Sequence, residues 1–433
     1  MTLHRLFGFD RSKTDIKTEL FAGLTSFLTM SYILAVNPNL FSQLDGMPAG
    51  SVFTTTALIS IISTLLVAFV AKMPFGIAPS MSSNSFFVFT ICMGMGCSWQ
   101  LALTAVLIES VILILLTVTG LRVALVNALP TSIKQSITIG IGLFIAFVGM
   151  QNAGIVVQDP STLVRLGDIT HGSGLLAVIG LLITGTLNAF KVKGGMLIGI
   201  LITTVIGIPF GITQYQGLIS VPQSIEPIFC QFDWSSVFSS RMLVVVMSFL
   251  FIDLFSLTGS AVAVCDKAGM TDSKGQIPGI NRLFLADSIG TLGSAVFGTS
   301  SVCTLIESSS GVAQGGKSGL TAFTIAVCFA AAIFFSPLFL AIPSAATAPV
   351  LIIVGLNMFS SVRQLDLNDF SESLPAFITI ITMPLCYSIT DGILIGVISY
   401  VAINALCGNF RKLSPATCIL AAIFVLKYIL LDL

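Results

Sequence analysis

Four acidic residues stand where acids are rare. Glu109 (in VLIES), Asp253 (FLFIDLFSLTGS), Asp287 (RLFLADSIGTLGS) and Glu307 (LIESSSG) all lie well inside apolar stretches. An ionised carboxylate in hydrocarbon is costly unless it is protonated, paired or facing a cavity. No Lys or Arg lies equally deep in the apolar runs, so protonation is the expected escape. Burial favours the neutral carboxyl, which suits a group that gains and loses a proton during a transport cycle. Glu307 is followed by Ser308, Ser309 and Ser310 and is the strongest candidate to accept N–H bonds from a bound ligand. Asp253 shares a helix face with Ser256 and Ser260, by the i, i+3, i+7 rule. Asn84 offers both an amide donor and an acceptor, as the edge of a heterocycle needs. Ser31 and Ser83 complete the candidate substrate-binding set of Asn84, Asp253, Glu307, Ser256, Ser31 and Ser83. Asp287, Glu307 and Asp253 form the candidate proton-coupling set. Glu109 is expected to bond a neighbouring helix.

Other chemistries find little support. His4 and His171 are the only histidines and are far apart, so no metal site is expected. The nine cysteines are scattered without CxxC spacing. Neither paired histidines nor a Ser/His dyad is visible, so the chain is not expected to be an enzyme and no cofactor is implied. Gly311 to Ser318 (GVAQGGKS) fits the phosphate-loop pattern, but that pattern needs a strand and a soluble α/β domain. Here it abuts an apolar run, and the expected structure is a Gly-rich cytoplasmic turn.

The elements that must position these residues are membrane spans. Of the 433 residues, 55% are hydrophobic and 9% are charged, against about 25% charged in a soluble domain. Apolar runs near the ~20 residues that cross a bilayer as a helix recur at 18–41, 51–71, 98–119, 133–151, 174–190, 195–210, 241–264, 282–297, 319–335, 344–361, 374–388 and 390–408. Two further segments, 75–94 (FGIAPSMSSNSFFVFTICMG) and 298–316 (GTSSVCTLIESSSGVAQGG), are too polar or too short for ordinary spans. Counting them gives fourteen crossings. The segment 416–431 is an additional apolar piece, interrupted by Lys427.

Charge supports this count. With a cytoplasmic N-terminus and fourteen alternating crossings, 16 Lys and Arg residues fall on the inside, Arg122 among them, and only Arg165 and Arg241 fall outside. That asymmetry follows the positive-inside rule. The N-terminal 17 residues read as a cytoplasmic leader without a signal-peptide core. Net charge is zero, so nucleic acid is not an expected partner.

The two broken segments fall at matching places in two halves, which points to a transporter binding site. Ser26-Phe27-Leu28 aligns with Ser248-Phe249-Leu250, an offset of 222, and nearly the same offset carries Asn84 onto Glu307. Seven crossings per half is an odd number, so the halves must be inverted. The Gly-rich TIGIGLFIAFVG (138–149) reads as close helix packing by small residues.

At these residues the chain resembles the AzgA-like branch of the nucleobase–cation symporters, the adenine, guanine and hypoxanthine permeases. GIGLFIAFVGMQNAGIVV (140–157), WQLAL (99–103), FIDLF (251–255), GTSSVCTLIESSSGVAQGGKSGLTA (298–322) and PLCYSITDGILIG (384–396) carry the likeness. The resemblance implies an all-α polytopic membrane protein of 14 transmembrane segments in two inverted seven-segment repeats. Segments 3 and 10 would each hold a short strand followed by a half-helix. A core domain would comprise 18–119 and 240–335, and a gate domain 133–211 and 344–408. It further implies a purine site lined by Asn84, Asp253 and Glu307, with Asp287 in proton coupling. The function implied is proton-driven nucleobase uptake by alternating access across the plasma (inner) membrane, with a homodimer as a permitted assembly.

Two departures fall at the expected site. The family's APGMGLNAFF is APSMSSNSFF here, and its FDTTGT is FSLTGS, so Ser256 stands where a second acid is usual. A transporter of the same fold with a different small heterocycle or an anion as substrate, or a non-transporting membrane receptor, are the competing expectations.

Overall fold

The computed structural model describes residues 2–12, 14–122, 130–214, 217–268, 270 and 277–431. A chain this apolar must satisfy its backbone polar groups internally, and helices do so within one segment. Among the described residues, eight helices are long and apolar enough to cross a membrane by length and composition. They are Ile16–Phe41, Ala49–Ala71, Trp99–Val118, Thr131–Asn152, Gly172–Ala189, Gly319–Leu340, Ser344–Gln364 and Ile389–Leu406. Gly195–Gly207 and Phe370–Leu385 are apolar but shorter. Ser240–Lys267 and Ile280–Phe297 hold Asp253 and Asp287. The first run is not continuous: Ser31 and Tyr32 form a turn between helices Ile16–Met30 and Ile33–Phe41.

Among the described residues, four short strands interrupt the helices: β1 (Ile77–Pro79), β2 (Val156–Asp159), β3 (Leu163–Leu166) and β4 (Val302–Thr304). Strands β1 and β4 come from the two broken segments and pair antiparallel, Ile77 with Thr304 and Pro79 with Val302. Each is followed by a short helix, Met81–Ser85 after β1 and Ser309–Val312 after β4. Pro74, Pro79 and Gly76 keep the first segment from continuing as a helix. The freed backbone groups are then satisfied by neighbours. Thr64 Oγ1 accepts from Ile77 N and donates to Ile77 O, both at 3.0 Å, and Gly76 N donates to Ser308 Oγ at 3.0 Å.

The all-α expectation is corrected at β2 and β3, an exposed hairpin in the segment before Gly172. Asp159 closes its turn, accepting from Ser161 N at 2.8 Å and Thr162 N at 3.1 Å. These strands are four residues each and face water, so no long alternating pattern announces them.

The helices pack in two sets. Ala49–Leu66, Ser240–Lys267 and Ile280–Phe297 pack on the strand pair β1–β4, Trp99–Val118 packs on the last two of these, and Gly319–Ala332 packs on Ala49–Leu66 and on Ile16–Met30. Thr131–Asn152 packs on Ser344–Phe359, Phe370–Leu385 and Ile389–Leu406, with Gly172–Ala189 and Gly195–Gly207 against the same group. The second set meets face to face at small residues: a Cβ added to Gly355 would lie 2.4 Å from Gly142 O, and one added to Gly142 would lie 2.7 Å from Gly355 O. This is the close approach that the Gly-rich stretch 138–149 led us to expect.

At the Gly-rich turn 311–318 a carboxylate of the chain itself takes a backbone N–H, that of Lys317. Buried Glu19 accepts from Lys317 N at 3.1 Å, Thr321 N at 3.2 Å and Thr321 Oγ1 at 2.5 Å. An acid at the start of helix Gly319–Ala332 is stabilised by that helix's free N–H groups. The segment 416–431 forms part of helix Pro415–Leu431, which packs on Ile389–Leu406 and sets Phe424 edge-on against Phe251. The side chain of Lys427 lies outside the described residues.

Candidate functional site

The structure separates the sequence-selected residues into two places. Glu307 follows β4 at the start of the second half-helix and opens onto a cleft of about 300 Å3. Its carboxyl is oriented by Tyr32, whose hydroxyl donates to Glu307 Oε1 at 2.9 Å. Tyr32 is 1% exposed, so this bond is shielded from water. The backbone beneath is held from the same side. Thr29 Oγ1 donates to Glu307 O at 3.3 Å and shares a 2.8 Å bond with Ser310 Oγ, which itself donates to Glu307 O at 2.7 Å. Asn188, Met196 and Asn357 line the facing wall. The cleft therefore offers a carboxylate acceptor, two amides with both donor and acceptor, and an apolar side at Met196 and Ile306. Its volume sits at the low end of small-molecule sites, about 300–1,000 Å3.

Tyr32, Asn188 and Asn357 were not singled out in the sequence. Tyr32 carried one usable signal, since it directly follows Ser31 in a run otherwise rich in small residues. Ser31 itself is fully buried and its hydroxyl donates back to Leu28 O at 3.3 Å. It does not line the cleft.

The second place is a buried polar cluster. Asp253 Oδ1 accepts from Ser83 Oγ at 2.7 Å and from Ser301 Oγ at 2.9 Å. Glu109, on helix Trp99–Val118, interacts with the Asp253 carboxyl, but neither of its oxygens has a hydrogen-bond donor among the described residues, so the expected bond to a neighbouring helix is not formed. Asp287 lies 3.5 Å from Arg122 Nη2. Arg122 overturns the expectation that no base lies at this depth. It is 1% exposed, donates to Ser288 Oγ at 2.9 Å and Phe284 O at 3.3 Å, and its guanidinium sits 4.7 Å from the Phe284 ring centroid. In sequence it sits in a polar-flanked turn, TGLR, and counts as a cytoplasmic loop charge. In the fold its side chain reaches back between helices Trp99–Val118 and Ile280–Phe297, as a long Arg stem allows.

Asn84 is fully buried; its Oδ1 accepts from Ser300 Oγ, while its Nδ2 has no partner. Neither Asn84, Ser83 nor Asp253 lines the Glu307 cleft. The side chain of Ser256 lies outside the described residues. The added serine of segment 3, Ser83, therefore serves as a donor to Asp253.

A second cavity, of about 510 Å3, is lined by Thr90, Arg241, Tyr387, Ser388 and Asp391.

A helical membrane fold with paired broken segments and a polar cleft beside one of them defines a transporter. Its architecture is shared with the transmembrane domain of a cyanobacterium bicarbonate transporter, BicA, at TM-score 0.65 and 15% identity over 88% of this chain and 97% of that one. The structure of the anion transporter Slc26a9 from mouse aligns at the same TM-score with 12% identity, over 93% of this chain and 70% of that one. At such identities the likeness concerns fold alone. Sequence then narrows the class. Residues 17–395 match the Permease family of xanthine/uracil permeases. The chain is 40% identical over 431 residues to the adenine permease AdeQ of Escherichia coli (strain K12), spanning 100% of this chain and 97% of that one. It is 41% identical over 440 residues to the guanine/hypoxanthine permease PbuG of Bacillus subtilis (strain 168), spanning 98% and 99%. The chain belongs to the xanthine/uracil permease family, and it is a multi-pass membrane permease rather than an enzyme.

Proposed function

We propose that this permease imports purine nucleobases by proton symport with alternating access. The observation that carries this reading is full-length identity near 40% to relatives named as adenine and guanine/hypoxanthine permeases. The cleft chemistry supports it. A neutral planar base presents N–H groups at its edge, and Glu307 is an acceptor already aimed by Tyr32. Asn188 and Asn357 add amide donors and acceptors, and among the described residues no Lys or Arg lines the cleft to favour an anion. In this reading, 18–119 with 240–335 form the core, 133–211 with 344–408 form the gate, and fourteen segments make two inverted repeats. The antiparallel β1–β4 crossing supports that symmetry. Core would move against gate so that the cleft opens to either face of the plasma (inner) membrane, the N-terminus being cytoplasmic.

The test is uptake of radiolabelled adenine, guanine and hypoxanthine by cells lacking their own permeases, with and without a protonophore, and with Glu307→Gln. The expected result is saturable uptake of at least one purine that collapses with the protonophore and in the variant. Absence of purine uptake from protein correctly placed in the membrane would overturn the substrate assignment.

A further inference from the structure

We propose that Glu109 is a proton-carrying residue of this permease: it shares a proton with Asp253, and that acid pair, set beside the Arg122–Asp287 ion pair, takes up and releases the coupling proton away from the substrate cleft. This rests on the symport reading above. Glu109 is fully buried, and neither of its oxygens has a hydrogen-bond donor. A carboxyl that interacts with it is that of Asp253, from the packed helix Ser240–Lys267. Two carboxylates cannot donate to each other, so a bond between them exists only when one holds a proton. Asp253 Oδ2 holds that proton and Glu109 accepts it, because Ser83 and Ser301 donate to Asp253 Oδ1 while, among the described residues, Oδ2 and both Glu109 oxygens have no other partner.

Charge balance sets the stoichiometry. Helices Trp99–Val118, Ser240–Lys267 and Ile280–Phe297 pack together, and the charged groups that face Glu109 from them are Asp253, Asp287 and Arg122. Cys303 of β4 lies behind, against Asp253 and Asp287. Three carboxylates and one guanidinium, all ionised, would leave two excess negative charges in a buried site, which is prohibitive. One proton on the Glu109–Asp253 pair leaves one negative charge, and a second makes the cluster neutral. The proton that cycles is the second one: the first stays on Asp253, and the second forms an O–H bond on the Glu109 carboxylate and leaves from it as a hydrated proton. Arg122 acts as a positioning residue, fixing Asp287 as the ionised partner. None of these side chains lines either cavity, so coupling would be transmitted through Ser83, Ser301 and the two half-helices they adjoin.

The test uses the purified full-length protein in liposomes with radiolabelled adenine and guanine as probes. Two assays are compared: accumulation driven by an inward proton gradient, and exchange of external label against internal unlabelled base at equal pH. Gln at position 109 imitates the protonated acid and keeps a donor toward Asp253. Glu109→Gln is expected to lose accumulation, so that internal label only equals external label, while exchange persists and its pH dependence flattens. Glu109→Asp is expected to recover accumulation in part. Accumulation by Glu109→Gln at the wild-type level would overturn the proposal. So would parallel loss of exchange and accumulation, which is the mark of a structural role. Wild-type protein that exchanges base but never accumulates it would refute the symport reading itself, and this inference with it.

Discussion

Replacing Arg122 by Gln isolates the buried ion pair. The Arg122 guanidinium is 1% exposed and its Nη2 lies 3.5 Å from Asp287 Oδ2, itself fully buried. Removing one partner of such a pair leaves an uncompensated buried charge, at a cost of about 3–5 kcal/mol. Loss of the stacking on Phe284 adds about 1 kcal/mol. The separation exceeds hydrogen-bonding distance, so the lower end of the first range applies, and the sum is about 4 kcal/mol. A Gln amide can restore one of the bonds to Ser288 Oγ or Phe284 O and return about 1 kcal/mol. Arg122→Gln is therefore expected to destabilise by about 3 kcal/mol, roughly a hundredfold in the folded-to-unfolded ratio. Adding Asp287→Asn removes the stranded charge, so the double variant should be more stable than the sum of the singles by at least about 1.5 kcal/mol. Thermal and denaturant unfolding of the detergent-purified protein read both quantities. An Arg122→Gln variant within about 0.5 kcal/mol of wild type, or strict additivity in the double variant, would refute the ion-pair reasoning.

Other perturbations test other parts of the fold. Tyr32→Phe deletes the hydroxyl donor to Glu307 Oε1; a bond to a charged group is worth about 1.5–3 kcal/mol, so the KM for purine should rise roughly tenfold with little change in expression, as uptake kinetics would show. Gly355→Ala places a Cβ 2.4 Å from Gly142 O; separation of the two helices should cost about 1–3 kcal/mol, visible as a lowered melting temperature. At the chain's surface, hydrogen bonds from Lys412 and Ser371 hold the Asp369 carboxyl down at about 2. That value is below the unfolded one of about 3.9, so the contribution is complete above pH ~4 and disappears as the pH falls toward 2. Lys412→Met should therefore melt lower than wild type at neutral pH, and the two curves should converge at the acid end. A difference that instead grew on acidification would contradict the assignment.

The candidate site was legible in the sequence to different depths. Glu307 was legible because an acid among serines in a Gly-broken apolar segment has few structural uses, and the fold indeed sets it at a cleft. Asp253, Asn84 and Ser83 were recognisable as buried polar groups, but which way each side chain faces depends on helix rotation. The fold turns Asp253 toward Glu109, Ser83 and Ser301 and away from the Glu307 cleft. Arg122 was misjudged for a related reason. A cation next to a Gly-containing turn satisfies the loop rule, and nothing local shows that its long side chain returns inward to Asp287.

By itself the sequence determined that this is a helical membrane permease, where its apolar runs lie, which two segments break, and which acids are buried. Those properties are local: run length, Gly and Pro at fixed positions, and charge placed along the chain. Only the tertiary structure decided the partners. The register of β1 against β4 joins residues more than 220 positions apart. Tyr32 meets Glu307 across 275 positions, and Arg122 likewise meets Asp287 from a segment remote in sequence. In a bilayer almost any apolar face can meet lipid, so hydrophobicity alone does not choose which faces meet each other. That choice falls to close glycine contacts and to the need of every buried polar group for a partner, and both are settled only when all the segments are in place.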